Sequence, residues 1–164
     1  MPFKTEVSAA ADETGVPKSL IWAIMREESH FRPRAISFVG AQGLMQLMPA
    51  TAAEMAQIPE STFDVYAPRT NIRLGSRYLN RVQRYTRSSW PVVAPGYNAG
   101  QGALKRWLRK NGHLDFDLFV EMIPYDEARA YTKKVNRSLA VYRRRLKVPM
   151  FRLLGKTNRL KAEY

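Results

Sequence analysis

The chain has 164 residues, 45% of them hydrophobic, 25% charged and none a cysteine. This length suits about one domain, and the apolar share supplies a core without metal or disulfide staples; the missing cysteine excludes disulfides, thiolate zinc sites and a thiol nucleophile. Lys and Arg number 27 against 14 Asp and Glu, and the resulting +13 attracts polyanions (nucleic acid, anionic lipid, an acidic wall polymer) without choosing among them.

Two histidines, His30 and His113, make no His-rich site and no HExxH spacing, so no metal or other cofactor is implied. The N-terminal Met-Pro-Phe-Lys-Thr-Glu-Val lacks the basic and apolar regions of a signal peptide. No apolar run approaches the roughly 20 residues of a membrane-spanning helix. An exported protein is therefore expected here as a mature form or an excised domain.

In chain order, residues 4 to 14 read as a first helix ended by Gly15. Pro17 suits the first turn of a second, Lys18 to Glu28, rich in Leu20, Ile21, Trp22, Ile24 and Met25. At about 100° per residue, Glu28 falls between Ile21, Ile24 and Met25, while Glu27 aligns with Leu20 and Ala23. Residues 30 to 48 are irregular, broken by Pro33, Gly40 and Gly43. Pro49 opens a short helix through Met55, and a loop with Pro59 and Pro68 leads to a helix over 69–86. A short segment at 91–98, helices over 101–110 and 115–121, and a long last helix from Pro124 to Leu146 complete the pattern. No strand-like alternation stands out, so the fold class is all-α, a compact irregular multi-helix domain. The expected division is a helical domain over 1–147 and a basic tail over 148–164.

A carboxylate pressed against apolar surface has its charged form disfavoured, so it stays protonated nearer neutrality and can act as an acid. Glu28 closes an apolar helix and is followed by Gly43-Leu44-Met45-Gln46-Leu47-Met48-Pro49. Most glutamates at helix ends are merely solvated, and methionine stripes are usually core filler. Gln46 between two methionines is harder to read as core, because a buried amide must find partners.

Four segments, in order, resemble the soluble lytic transglycosylase family, whose catalytic domain is similar to goose-type lysozyme. They are Ile24 to Phe31 with its Glu-Ser pair; Ser37 through Val39-Gly40-Ala41-Gln42-Gly43 to Pro49 and Thr51-Ala52; Asn71-Ile72-Arg73-Leu74-Gly75 with Tyr78-Leu79 and Gly96-Tyr97-Asn98-Ala99-Gly100; and Ile123 to Tyr131. Together they span Pro17 to Tyr142. The chain departs from the family at Pro95-Gly96, where small non-proline residues are usual.

The resemblance implies cleavage of the β-1,4 bond between N-acetylmuramic acid and N-acetylglucosamine, leaving a 1,6-anhydromuramyl end. One carboxyl then serves as both acid and base, and Glu28 is that residue; its pKa is expected above the reference of about 4.3. Ser37 is implied to hydrogen-bond Glu28. Gln46 and Met48 are implied to touch the sugar N-acetyl groups, with Met45 and Leu47 turned into the core. Tyr97 and Asn98 are implied near the scissile sugar, where a tyrosine offers a stacking face and a hydroxyl. Glu127 and Tyr131, at i and i+4 on one helix face, are implied to line a substrate groove. The implied partner is the peptidoglycan glycan strand in the bacterial envelope, the periplasm, with a monomer as the default.

The rival class is polyanion binding, resting on +13, Arg143-Arg144-Arg145 and the basic Lys156 to Lys161 stretch. No helix-turn-helix, zinc-finger or RNA-recognition signature accompanies that charge, so no specific nucleic acid is expected. Peptidoglycan is itself rich in carboxylates, so a basic wall enzyme is equally consistent. Within enzymes, the alternative is a lysozyme-like hydrolase using water on the same bond.

Overall fold

The computed structural model describes residues 1–149, apart from the side chain of Glu60. The expected basic tail therefore lies outside the described residues, save for Val148 and Pro149. Among the described residues there are eight α-helices and no β-strand, only two isolated bridges, Ile36 to Gln42 and Gln42 to Leu47. The chain forms two compact units, Met1–Asn80 and the part from Arg81 onward.

The first unit holds α1 (Lys4–Thr14), α2 (Lys18–Ser29), α3 (Pro49–Ala56) and the larger part of α4 (Pro68–Thr86). Pro17 stands just ahead of α2 rather than inside its first turn, with ψ 131°, and its carbonyl accepts the N–H groups of Leu20 and Ile21. Every residue from Ser19 to Met25 is buried, so this stretch of α2 is a core rod without a wet face. Burial of each large side chain there contributes about 1.5–3 kcal/mol. The Trp22 indole N–H donates to Pro2 O at 2.8 Å, which ties the first residues to α2. Near the middle of α4, Arg77 pairs with Glu13 at 2.6 Å and Asn80 donates to Thr14 O at 2.8 Å, fastening α4 to the end of α1.

The second unit holds α5 (Ala94–Ala99), α6 (Gln101–Asn111), α7 (Phe116–Glu121) and α8 (Asp126–Arg145). Short α5 is buried from Ala94 to Tyr97 and packs on α6 and α8. Pro95 sits in its first turn, where the missing N–H has no helical partner to lose, so the departure from the family pattern leaves the helix intact. Gly96 permits a close approach: a Cβ there would stand 2.7 Å from both Leu104 Cδ2 and Val82 Cγ1. Beyond it, the Trp107 and Tyr125 rings meet edge to face at 5.2 Å, and Asn136 donates to Pro91 O at 3.0 Å.

The charge divides unevenly between the units. Residues 1–80 hold eight basic and eight acidic side chains, whereas residues 81–164 hold nineteen basic and six acidic. The whole net charge thus belongs to the second part. Among the described residues no helix is long and apolar enough to cross a membrane.

Candidate active site

Glu28 is the second-last residue of α2, half-buried at the end of the core rod. Because residues 19–25 of α2 are buried on all sides, the helical wheel does not separate Glu28 from Glu27, which is also half-buried and lies 3.8 Å from Arg26 Nε. What fixes the end of the helix is the next residue. Ser29 is 1% exposed, and its hydroxyl donates to Leu44 O at 2.7 Å, with Met25 O also in reach at 3.1 Å. One proton is shared between a helical carbonyl and a loop carbonyl, and the shorter contact is to the loop.

After Ser29 the backbone turns sharply. His30, the left-handed cap of α2, and Phe31 both take positive φ, 50° and 62°, a conformation that is common at a helix end but costs a bulky residue such as Phe31. Arg32 Nε donates back to Ser29 O at 3.1 Å. Ser37 then closes a tight turn: its Oγ accepts Ala41 N–H at 3.0 Å, and its N–H donates to Ala41 O at 3.0 Å. As an acceptor in that turn, the hydroxyl still has its own proton to donate.

The methionine loop folds around Gln46, whose φ is 49°. Its amide nitrogen donates to Gly43 O at 2.8 Å and to Ala35 O at 3.1 Å, which leaves the amide oxygen as an acceptor. Leu44, Met45 and Leu47 are buried while Met48 is 44% exposed, the expected alternation of core-facing and outward positions.

Two residues that carried no role in the sequence reading hold this loop. Asn71, fully buried on α4, accepts Met45 N–H at 2.7 Å and donates to Gln42 O at 3.0 Å and Val65 O at 2.9 Å. Gly43 adopts φ 78°, and a Cβ on it would come within 2.2 Å of the Asn71 amide. One helical turn past Asn71, a Cβ on Gly75 would stand 2.5 Å from Met45 Sδ. The Asn-x-x-x-Gly spacing on α4 is thus a polar clamp followed by a gap. Ser29 is the other omission; its burial beside the apolar run was the available signal.

In the second unit, Tyr97 is 7% exposed and Asn98, the next residue of α5, is exposed. Asn98 Nδ2 donates to Glu127 Oε1 at 3.2 Å, joining α5 to the first turn of α8. Tyr131 lies one turn further along α8 and is half-buried. The structure thus brings Asn98 and Glu127 together, and links Gln46 with the segment after α2.

Residues 6–120 match the family model of the transglycosylase SLT domain, and the chain belongs to that family. It is 40% identical over 134 residues to the soluble lytic murein transglycosylase of Escherichia coli (strain K12), covering 78% of this chain and 21% of that protein. Membrane-bound lytic murein transglycosylase C of Edwardsiella ictaluri is 31% identical over 163 residues, covering 84% of this chain and 45% of that one. Among solved structures, an inactive glutamate-to-glutamine mutant of lytic transglycosylase Slt from Pseudomonas aeruginosa matches with a TM-score of 0.83 at 35% identity. That match covers 94% of this chain and 26% of the Pseudomonas chain. The chain spans about a fifth of the length of the soluble relatives it matches. Its all-α architecture is the lytic transglycosylase fold.

Proposed function

We propose that this chain is a peptidoglycan-cleaving lytic transglycosylase domain with Glu28 as its single acid/base. The observation that carries the reading is the setting of Glu28: a half-buried carboxyl at the end of a core helix, next to a serine bonded into the Gly43–Met48 loop. Protonated Glu28 donates to the glycosidic oxygen between N-acetylmuramic acid and N-acetylglucosamine. As a carboxylate it then takes the proton of the muramyl C6 hydroxyl while that oxygen closes on C1, giving the 1,6-anhydro ring. Two-carboxyl glycosidases need a second acid for water or for a covalent intermediate. Here the substrate supplies the nucleophile. That a glutamate-to-glutamine change accompanies inactivity in the Pseudomonas relative supports an essential glutamate.

Around that acid, Ser37 donates its remaining proton to the Glu28 carboxylate, and Gln46 offers its amide oxygen to a sugar N-acetyl N–H. Met48 supplies an apolar contact. Tyr97, Asn98, Glu127 and Tyr131 bind the glycan. The domain covers 1–147 with a basic tail from 148, and it acts on the glycan strands of the bacterial envelope.

Mass spectrometry of products from purified peptidoglycan tests this, comparing the native chain with Glu28→Gln. Anhydromuramyl ends that vanish in the variant are expected. Reducing ends would replace the reading by a hydrolase, and no cleavage by the native chain would leave polyanion binding.

A further inference from the structure

Phe38 carries no role in the sequence reading, yet among the described residues it is the most exposed large apolar side chain, fully open to solvent. Ile36 and Val39, on the same turn, are 65% and 59% exposed. Apolar residues scattered singly over a surface are ordinary. Three gathered on one short turn form a patch, and such patches mark surfaces that bind something.

The turn under this patch is fixed by its own bonds. Ile36 and Gln42 pair across its base. Beyond that pair, Ser37 N–H donates to Ala41 O and Ser37 Oγ accepts Ala41 N–H, both at 3.0 Å. Gly40 N–H donates to Ser37 O at 3.0 Å, which makes Phe38 and Val39 the central residues of a β-turn. The Phe38 ring is thus held out by a backbone with its hydrogen bonds already made. A group presented in this way loses little freedom when it binds.

The patch is continuous with the methionine loop. Gln42, opposite Ile36, exchanges two backbone bonds with Leu47, at 2.9 and 3.0 Å. Ala35 O accepts Gly43 N–H at 2.9 Å and the Gln46 amide at 3.1 Å. One bonded frame therefore carries Phe38 at its tip, Gln46 within it and the exposed Met48 at its edge. Through Leu44 O the same frame meets the Ser29 hydroxyl at 2.7 Å, next to Glu28. No acidic residue lies between Glu28 and Glu54, so nothing in this stretch repels the lactyl carboxylate of a muramic acid unit.

We infer that the Phe38 ring is a stacking platform for one sugar of the glycan strand, with Ile36 and Val39 widening the apolar surface around it. A pyranose gathers C–H groups on one face and keeps its hydroxyls at the rim. It can therefore lie on an aromatic face while those hydroxyls stay in water. This role rests on reading the chain as a wall enzyme, and it adds a grip on the strand apart from the acid.

The test titrates the Glu28→Gln protein, followed by amide NMR, with a peptide-free tetrasaccharide of alternating N-acetylglucosamine and N-acetylmuramic acid. Expected are shifts centred on residues 36–42, and binding weaker by about three- to tenfold on adding Phe38→Ala. Phe38→Leu keeps apolar area without the ring and should lose as much, whereas Phe38→Trp should bind within about twofold of the parent. Because Phe38 is fully exposed, all three variants should melt with the parent, which separates lost binding from lost fold. No binding by the parent, an unaffected Phe38→Ala, or full binding by Phe38→Leu would each overturn the inference. Sugar binding intact in Phe38→Ala, with loss of sedimentation on anionic phospholipid vesicles, would overturn it too and assign the patch to a lipid surface. Cleavage of peptidoglycan by the native chain is read separately. Anhydro products with sugar binding indifferent to Phe38 sink only this role; binding that depends on Phe38 without any cleavage sinks only the proposed activity.

Discussion

Asn71 accepts the backbone N–H of Met45 at 2.7 Å, and its amide nitrogen reaches two further carbonyls, of Gln42 and Val65. Replacing Asn71 by Ala strands the Met45 N–H and Val65 O, while Gln42 O keeps the Leu47 N–H. An unsatisfied buried group costs about 1–3 kcal/mol, with partial relief if water enters. Asn71→Ala is expected to lose roughly 2–4 kcal/mol in a urea unfolding titration, and loop residues 43–48 should lose amide-exchange protection first. A loss under about 0.5 kcal/mol, within the range of ordinary surface changes, would mean the clamp is not what orders the loop.

Gly75 tests the gap beside the clamp. Alanine gains about 1 kcal/mol of helix propensity over glycine. Its Cβ, however, meets Met45 Sδ at 2.5 Å and Met45 Cβ at 2.8 Å, and the second atom has no flexible way out. Overpacking costs about 1–3 kcal/mol, so Gly75→Ala is expected to be net destabilising. Combined with Met45→Ala the penalty should shrink, which a double-mutant cycle measures as coupling. Simple additivity would show that the two positions do not share this space.

Ser37→Ala removes an acceptor used by Ala41 N–H in a half-buried turn, a loss of about 1 kcal/mol at most. If its hydroxyl also serves Glu28, turnover falls further than stability, roughly tenfold, as suits a hydrogen bond to a charged group. Steady-state rates and thermal melts on the same variant separate the two. An unchanged rate would remove Ser37 from the chemistry.

The Asn98–Glu127 bond at 3.2 Å lies between exposed side chains, so Asn98→Ala or Glu127→Gln should change stability by no more than about 0.5 kcal/mol. A glycan-binding role is instead visible as a raised KM with the fold intact. A large drop in melting temperature without a kinetic effect would make the pair a helix fastener.

Much of the helical layout was legible because punctuation is local. Gly15, Pro49 and the breakers of 30–48 set boundaries that the structure shares, and α2 ends within a residue of its expected close. Asn71 and Ser29 were not legible as supports. Their partners lie 26 and 15 residues away, and sequence periodicity reports only which face a residue occupies. The left-handed pair at His30-Phe31 was hidden for another reason: no glycine marks it, and the cap is closed by His30 N–H on Arg26 O and Phe31 N–H on Met25 O. The division after Asn80 was also unreadable, since it falls inside the continuous helix α4 and no breaker marks it.

Basic residues on α8 (Lys134, Arg137, Arg144 and Arg145) are exposed, and nothing acidic follows Glu127 on that helix. Attachment to an acidic wall should therefore be electrostatic in part. Raising salt from about 0.1 to 1 M shortens the screening range from about 10 to 3 Å. Sedimentation of the Glu28→Gln protein with isolated cell walls is expected to fall several-fold over that interval and to fall again in an Arg137→Glu, Arg144→Glu variant. Salt-insensitive binding would place the attachment in neutral sugar contacts.

The bonds that shape the methionine loop have a bearing on the order of assembly. Local bonds between Gln42 and Leu47 close the loop, but its anchors come from afar: Ser29 reaches it from upstream and Asn71 from a helix that begins nineteen residues after Pro49. Closing such long stretches of chain is entropically uphill until α4 docks and makes its burial available. A chain emerging from synthesis thus carries Glu28 without its surroundings until α4 has docked. The surroundings of Glu28 are acquired with the tertiary structure of the first unit and are lost the same way.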